Sequence, residues 1–408
     1  MCSAFEIGSG RHGCVRPLLG DGIFTQDGRK WEASRKLLAP MIQQPTLPDL
    51  KLFERHFQSF QAFIAPGAHG SAGHVVDMKG RLLDLSLKMV TEFLLGGVDL
   101  EESVPRATKW ADEFAAEFDV ALSWISKRER LKSFYWMVDG PEFRRSCKAA
   151  QMLVDELVCG AMELRKMEKP GTAPPETYVA FEPLLRQTRD PEPIQDHFMN
   201  LLLAGRDSCG SLLCWLFYAL AREPELVAGL TEEMENIMGP DKSRQPDKKE
   251  LNAMVKLDRF ICESMFQMRS ADIRQLTTFS TALRLFPPVP LNGRFSIRDT
   301  ILPHGGGEHG QAPVLIPKGT LIAFSTFSVQ RNRDLYGEDA SKFRADRWDE
   351  ESLKERRMVD WSYFPFLGGP RKCLGGEPNL ACRDTSRLGV LTVLYYFQSD
   401  LLSHRRNT

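Results

Sequence analysis

The sequence predicts a mainly helical protein with a minor β part, folded as one compact domain over residues 1–408. Apolar residues recur at helical spacing through long stretches between residues 27 and 238. Short β-like runs, bounded by turn residues, appear after Pro287. A chain of 408 residues, 42% hydrophobic and 26% charged, is ordinary for a globular protein and long enough to bury a large core.

Proline, glycine and polar residues set the boundaries of the predicted helices. Pro224 ends the long helix over 193–222 and begins the next, because proline is tolerated only in the first turn. The segments 169–176 and 239–249 are predicted as loops. The predicted helices span residues 27–45, 48–97 with a break at 66–74, 101–168, 193–222 and 224–238.

The last quarter of the chain carries the β part. Val314–Ile316 and Thr320–Phe324 are predicted as strands, joined by a turn at Pro317–Gly319. Residues 328–360 are charged and are predicted to be irregular, and a final helix is predicted over 381–397.

Composition and charge exclude several classes of protein. A net charge of -1 argues against a general nucleic-acid binder. Nine cysteines are too few for a disulfide scaffold and favour a reducing compartment. The N-terminus is too polar for a signal peptide, and the longest apolar stretch, 201–221, contains Arg206 and Asp207. We therefore expect a buried helix there and no membrane anchor in this chain.

The pattern F-x-x-G-x-R-x-C-x-G is complete in the loop 364–376. Glycines let the backbone amides approach and stabilise the sulfur of a thiolate, and the aromatic can shield that sulfur from water. The arginine can pair with a carboxylate at the edge of a flat cofactor. The pattern predicts a thiolate that binds the metal of a macrocycle. The matching residues are Phe366, Gly369, Arg371, Cys373 and Gly375.

Cys373 has two alternative interpretations, as a buried core residue or as a zinc ligand. A single cysteine in an intracellular protein is usually a small buried apolar residue. A zinc site is disfavoured because Cys373 and Cys382 do not form a C-x-x-C pair and no H-x-x-x-H accompanies them. The five matched positions favour the metal-binding thiolate.

A second pattern lies in the long helix, where an acid and an alcohol, Asp207 and Ser208, follow Gly205. Glycine weakens a helix by about 1 kcal/mol relative to alanine. An acid–alcohol pair beside such a weak point can hold water and relay protons to a buried, oxygen-derived group. The alternative is a polar pair on an exposed helix face.

Together these patterns resemble the cytochromes P-450. The resemblance implies haem b (iron protoporphyrin IX) with Cys373 as the axial thiolate. It also implies that Ala204-Gly-Arg-Asp-Ser208 is the A-G-x-[DE]-T segment, with serine in place of threonine.

Further matches imply residues that bind the haem propionates. Trp31 and Arg35 resemble the W-x-x-x-R motif and share a helix face at i, i+4. Arg294 and Arg371 would be the other propionate partners, since arginine is always charged and can bind a carboxylate bidentately. The alternative for Arg35 is a surface arginine that shields an aromatic ring.

The branch that the chain resembles is the fungal alkane and fatty-acid hydroxylases. The segments that carry this likeness are 17–24, 204–207 and 285–294. The resemblance implies O2-dependent hydroxylation of an apolar substrate, namely a long-chain alkane or fatty acid. It implies electrons from an NADPH-dependent flavoprotein reductase, with Arg29, Lys30, Lys36 and Lys372 favouring an acidic partner. The implied location is the cytosolic face of the endoplasmic reticulum membrane.

The chain departs from the family at the E-x-x-R motif. Thr281 precedes Arg284 by three residues, whereas Glu263 lies far upstream, so we expect a costly buried arginine. In the family, the arginine that corresponds to Arg347 joins this network. We hypothesise that 265–281 derive from a retained intron, because an in-frame excision from within the Ser264 codon to the first base of the Ala282 codon would join the remaining bases as threonine and give E-T-L-R. A transcript that still encodes them would contradict the hypothesis.

Compared with the family, the resemblance is incomplete at both the N- and the C-terminus. The alternative function is therefore a catalytically defective or non-folding product of an incomplete gene model, which at most binds haem.

Overall fold

The computed structural model describes residues 4–43, 51–64, 77–95, 107–167, 184, 190–239, 246–257, 281–344, 347 and 361–376. This part of the chain is mainly helical with short strands, which confirms the predicted fold class. The chain divides into two compact units. Unit 1 comprises Met1–Ile42, Val90–Ala204 and Leu291–Phe324, and unit 2 comprises Gln43–Met89, Gly205–Pro290 and Ser325–Thr408.

The helices of the described residues agree with most of the predicted ones. The predicted helix over 101–168 is wrong in one respect, because it is two helices separated by a 3-10 turn at Lys132–Met137 and by residues 138–140. In chain order the helices are α1 (Ser9–Leu19), α2 (Gly28–Gln43), α3 (Lys51–Ile64), α4 (Met78–Leu95), α5 (Ala107–Leu131), α6 (Pro141–Met167), α7 (Pro191–Arg222), α8 (Pro224–Met238), α9 (Lys248–Ala253), α10 (Thr281–Leu285), α11 (Thr326–Val329) and α12 (Arg333–Tyr336).

Several predictions lie outside the described residues. These are the break at 66–74, the loop at 169–176 and the helix over 381–397. The segment 265–281 is described only at Thr281, so the intron hypothesis stays a prediction, as does the single domain over 1–408.

The strands form two small antiparallel sheets in unit 1. They are β1 (Phe5–Glu6), β2 (Asn292–Ser296), β3 (Thr300–Gly306), β4 (Ala312–Ile316) and β5 (Leu321–Phe324). The order is β1-β2-β5 in one sheet and β3-β4 in the other. Both predicted strands are confirmed, and the turn between them has a hydrogen bond of 3.1 Å from Thr320 N to Pro317 O. The two strands nevertheless belong to different sheets, since β4 pairs with β3 and β5 with β2.

An aromatic ladder forms part of the core of unit 1. Trp110, Phe114 and Phe118 follow one another at i, i+4 on α5, with ring centroids 5.2 and 4.9 Å apart. All three side chains are at most 1% exposed. The Trp110 indole donates to the Leu153 carbonyl of α6 at 2.8 Å, so the ladder also ties α5 to α6.

The core of unit 2 surrounds the second half of α7. Leu212, Leu216 and Leu220 of α7 pack with Met234 of α8. Phe366, from the loop that contains the cysteine, packs against the same cluster. The apolar face of α7 thus supports that loop.

Candidate functional site

The cysteine loop is folded back on itself by backbone hydrogen bonds. The Cys373 amide donates to the Phe366 carbonyl at 2.9 Å, and the Leu367 amide donates to the Phe364 carbonyl at 3.0 Å. Leu367 and Gly369 have positive φ, at 60° and 73°. This region is costly for residues other than glycine, so the fold of the loop holds Leu367 in a strained backbone conformation.

Glycines of the loop lie where side chains would not fit. A Cβ atom on Gly376 would come within 2.8 Å of Phe366, and one on Gly368 within 2.2 Å of the Trp361 ring. A Cβ atom on Gly375 would lie 3.6 Å from the Cys373 sulfur. Gly368 and Gly376 are therefore the glycines that close packing requires, whereas Gly375 lies beside the sulfur at an ordinary contact distance.

The Cys373 side chain is exposed, unlike the cysteines that serve as core residues. Cys14 and Cys147 are buried, and burial raises the pKa of their thiols to about 11 and about 12. An inert buried thiol suits packing, whereas a metal ligand needs a reachable sulfur. The residues present fit a cofactor that is ligated by Cys373.

The other residues of the predicted loop pattern are distributed around this turn. Arg371 is half-buried in a 3-10 turn, Gly369–Arg371, which directly precedes Lys372 and Cys373. Phe366 packs against the core cluster and Gly376, so its described contacts hold the loop. Its proposed shielding of the sulfur stays a prediction.

The acid–alcohol pair lies on α7, which runs without interruption through Gly205. Arg206 is 2% exposed, and its Nη1 atom is 2.9 Å from Asp207 Oδ1. The Asp207 side chain is 39% exposed. The sequence pattern identified Asp207 as the acid but did not identify Arg206 as its buried partner, although Arg206 lies in the same motif.

Ser86 of α4 also contacts this part of α7. Its hydroxyl lies 2.9 Å from the Arg206 carbonyl oxygen and 3.1 Å from that of Gly205. These residues are 119 and 120 positions away in the chain, so no local pattern could have identified Ser86.

Trp31 and Arg35 share one face of α2, as their spacing predicts. The Arg35 guanidinium carbon lies 5.8 Å from the centroid of the Trp31 ring, and both side chains are half-buried. A cation–π contact of this kind holds the guanidinium in place. Their role as propionate partners stays a prediction.

Arg294 lies on β2 and is anchored locally. Its Nη1 atom donates to the Gly293 carbonyl at 2.7 Å and to Asn292 Oδ1 at 3.0 Å. Arg11 of α1 donates to the same Asn292 oxygen at 3.1 Å, which places two guanidinium groups around one amide. Arg11 was missed, because nothing in its local sequence distinguishes it.

Arg284, the arginine of the broken E-x-x-R motif, is fully buried but well bonded. Its guanidinium donates to the carbonyls of Gln330, Ala340 and Lys342, at 2.8, 2.6 and 3.1 Å. It also lies 4.9 Å from the centroid of the Tyr336 ring. Backbone oxygens thus accept from both terminal nitrogens of the guanidinium, and the expected cost of burying this arginine stays a prediction.

Arg347 pairs with an acid that the sequence did not indicate. It is 1% exposed and contacts Asp339 Oδ2 at 2.9 Å and the carbonyls of Asp339 and Tyr336 at 2.9 Å. Arg344 also forms a salt bridge with Asp339, with 2.7 Å between Nη1 and Oδ2. Although partial burial opposes it, hydrogen bonds from Arg344 and Arg347 lower the pKa of Asp339 to about 2.

Within the described ranges, no group of three or more His, Cys, Asp or Glu residues is placed to hold a metal ion by itself. Among the helices of the same ranges, none is long and apolar enough to cross a membrane.

The chain is similar to known proteins over most of its length. The family model described as "Cytochrome P450" matches residues 10–274 and 278–400. Cytochrome P450 52A1 of Candida tropicalis is 36% identical over 383 residues, covering 91% of this chain and 65% of the relative. Cytochrome P450 52A4 of Candida maltosa is 34% identical, with 91% and 66% covered. The chain thus spans a little less than two thirds of the length of these two relatives.

Solved structures share the fold. The crystal structure of the cytochrome P450DA heme domain superposes with a TM-score of 0.69 at 19% identity, covering 96% of this chain and 77% of that chain. At this identity the likeness concerns the fold alone, and it agrees with the helical architecture and small sheets described above.

Proposed function

Because the chain belongs to the cytochrome P450 family, we propose that it is a haem-dependent monooxygenase that hydroxylates an apolar substrate. The observation that carries the proposal is the exposed Cys373, in a loop whose Gly368 and Gly376 pack closely against Trp361 and Phe366. The reaction would consume O2, two electrons and two protons, placing one oxygen atom in the substrate and the other in water.

Haem b ligated by a thiolate supplies a redox-active iron and electron density that favours O–O cleavage. Cys373 would supply the thiolate, and the Gly369 and Gly375 backbone would leave room around it. Arg371, Arg35 and Arg294 would bind the propionates, with Trp31 holding Arg35 through the cation–π contact. The cofactor assignment rests on the family and on the loop.

Asp207 and Ser208 would move the protons that the reaction consumes. A carboxylate accepts a proton from solvent, and a hydroxyl passes one on through its own oxygen. The half-exposed side chain of Asp207 supports contact with water on one side. Serine lacks the methyl group of the usual threonine but retains this chemistry.

We propose a long-chain alkane or fatty acid as substrate, on the resemblance of segments 17–24, 204–207 and 285–294. The names of the relatives identify them only as cytochromes P450. The proposal therefore concerns the chemical class and leaves the site of hydroxylation open.

The electrons would come from an NADPH-dependent flavoprotein reductase. The exposed basic residues Arg29, Lys30 and Lys36 of α2 support docking of an acidic protein. Lys372, next to the proposed ligand, carries charge of the same sign.

Membrane association is proposed on the family resemblance and on an apolar surface that we call the 134–137 patch. The side chains of Phe134, Trp136 and Met137 are 61, 63 and 65% exposed. Nearby basic residues, Lys127 and Lys132, are also exposed, a pattern that suits an anionic lipid surface. The cytosolic face of the endoplasmic reticulum is the proposed location.

The test is turnover with isotopically labelled O2. Purified protein, a flavoprotein reductase and NADPH would be incubated with a long-chain fatty acid or alkane under 18O2. The proposal predicts a hydroxylated product that contains one 18O atom. Product whose oxygen derives from water, or haem-loaded protein that forms no product, would contradict it.

A further inference from the structure

A hydroxyl from another helix hydrogen-bonds to the turn of α7 that carries Asp207 and Ser208. Ser86 of α4 is 2% exposed and donates towards the carbonyl oxygens of Arg206 and Gly205, at 2.9 and 3.1 Å. One hydroxyl has one hydrogen, so the two carbonyls share it. These are the peptide groups directly before the acid.

The same face of α4 also contacts the following turn. Leu83 lies three residues before Ser86 and therefore on the same side of the helix. A Cβ atom on Gly210 would come within 2.7 Å of Leu83 Cδ2. α4 thus contacts α7 both before and after the acid–alcohol pair.

A hydroxyl in this position affects the conformation of the turn. In a regular helix the carbonyls of residues 205 and 206 accept from the amides of residues 209 and 210. A side-chain hydroxyl that competes for the same oxygens tilts the peptide groups and bends the helix. Gly205 makes this the most deformable point, because glycine restrains the backbone least.

The orientation of the carboxylate depends on the same peptide groups. The Arg206 side chain is 3% exposed, and its Nη1 atom holds Asp207 Oδ1 at 2.9 Å. The backbone of Arg206 is held by Ser86, and its guanidinium holds the acid. A shift at Ser86 is therefore passed to the carboxylate.

We infer that Ser86 is a positioning residue for proton delivery by Asp207 and Ser208, an inference that rests on the proposed function. A proton donor must lie within hydrogen-bonding distance of its acceptor, and a misplacement of about 1 Å can cost about a hundredfold in rate. Ser86 acts through the peptide groups of Gly205 and Arg206.

Poor proton delivery has a measurable product. In productive turnover, substrate, O2, two electrons and two protons give hydroxylated product and water. In unproductive turnover, O2, two electrons and two protons give hydrogen peroxide. Electrons from NADPH through the flavoprotein reductase serve both, so the ratio of product to peroxide reports on the path of the protons.

The test compares Ser86→Thr with Ser86→Val, which have the same shape but differ in the hydroxyl. We expect Ser86→Thr to retain the wild-type ratio of product to peroxide. We expect Ser86→Val to lower it about fivefold, the scale of one net hydrogen bond. Hydrogen exchange of the Cys209 and Gly210 amides, measured without turnover, should change in Ser86→Val and not in Ser86→Thr.

Ser146→Ala is the matched control. Ser146 is fully buried, and its hydroxyl has no hydrogen-bond partner among the residues that the structure describes. Removing this hydroxyl should leave both the product ratio and the exchange of residues 209 and 210 unchanged.

Equal product ratios in Ser86→Thr and Ser86→Val would overturn the inference, even if amide exchange differs, because Ser86 would then be a packing contact only. A wild-type protein that binds haem but forms neither product nor peroxide would instead contradict the proposed function. If Ser86→Val loses haem, Ser86→Ala takes its place in the comparison with Ser86→Thr.

Discussion

Two buried arginines in unit 2, Arg284 and Arg347, are stabilised by oxygen atoms of the same segment of the chain. Arg284 uses three backbone carbonyls, and Arg347 uses two carbonyls and the Asp339 carboxylate. A charge taken out of water is tolerated only when its hydrogen bonds are replaced. The segment 330–342, which supplies all of these oxygens, is therefore held around the two guanidinium groups.

Replacing Asp339 by asparagine tests this arrangement. Arg347 would keep its carbonyl partners but lose its counter-charge, so we expect the free energy of unfolding to fall by about 1–3 kcal/mol. Urea denaturation at neutral pH measures the change. Glu338→Gln is the control, because the Arg333–Glu338 pair is exposed and should change stability by less than about 1 kcal/mol.

The contribution of Asp339 should depend on pH in a defined direction. Its pKa is lowered to about 2 in the folded protein, against about 3.9 in the unfolded chain. The stabilisation is therefore fully present above about pH 4 and is lost as the pH falls towards about 2. The difference between wild type and Asp339→Asn should shrink over that interval, and a constant difference would contradict the assignment.

Sequence reasoning identified the buried Arg284 but not what would satisfy it. The missing glutamate was visible as Thr281 at the expected position. The substitute partners are backbone oxygens that only the tertiary fold brings together, and a carbonyl has no sequence signal.

At the scale of elements, two glycines in unit 1 allow the connection between α1 and α2 to pack closely against α7. Gly20 has a φ of +62°, and the Asp21 amide that follows donates to Asp196 at 2.7 Å. A Cβ atom on Gly22 would lie 2.3 Å from Asn200 Nδ2. Asn200, which is fully buried, donates to the Leu19 carbonyl at 2.8 Å.

Gly22→Ala should destabilise this junction. The methyl group would displace the Asn200 amide and leave buried polar groups unsatisfied, at a cost of about 1–3 kcal/mol. Gly10→Ala is the matched control, since nothing lies within 4 Å of its Cβ position and alanine favours a helix by up to about 1 kcal/mol. Thermal denaturation of both variants provides the comparison, and equal midpoints would contradict the account.

The helices could be predicted where their pattern was long and the breakers were clear. α7 and α8 meet at Pro224 as predicted. α1 could not be predicted, because Gly13 and Pro17 interrupt its short apolar pattern while its buried side chains pack by tertiary contact. β4 and β5 belong to different sheets because they pair with β3 and β2. Neither β2 nor β3 could be predicted, because their sequences do not alternate between apolar and polar residues.

At the scale of the whole molecule, the fold class and the loop could be predicted, but the division into two units could not. The loop pattern is local, so its residues are identified by spacing alone. The two units are each built from three separated segments of the chain, and such long-range grouping leaves no local signal.

The 134–137 patch predicts binding to anionic vesicles. Replacing Phe134, Trp136 and Met137 by serine should weaken binding to vesicles of phosphatidylcholine and phosphatidylserine about tenfold or more, because their apolar surface is lost. A double variant, Ile301→Ser and Leu315→Ser, is the control. These two apolar side chains lie on the β3-β4 sheet and are about as exposed as those of the 134–137 patch. Equal loss in both variants, or no binding by the wild type, would contradict the proposal.

The most direct measurement of the central claim is the spectrum of the reduced carbon-monoxide complex in wild type, Cys373→Ser and Cys159→Ser. Thiolate ligation predicts a Soret band at about 450 nm in the wild type. Cys159 is the matched control, because it is also exposed and lies on α6. We predict that Cys373→Ser abolishes the band and Cys159→Ser retains it, whereas a band that survives in Cys373→Ser, or haem-loaded wild type without it, would contradict the account.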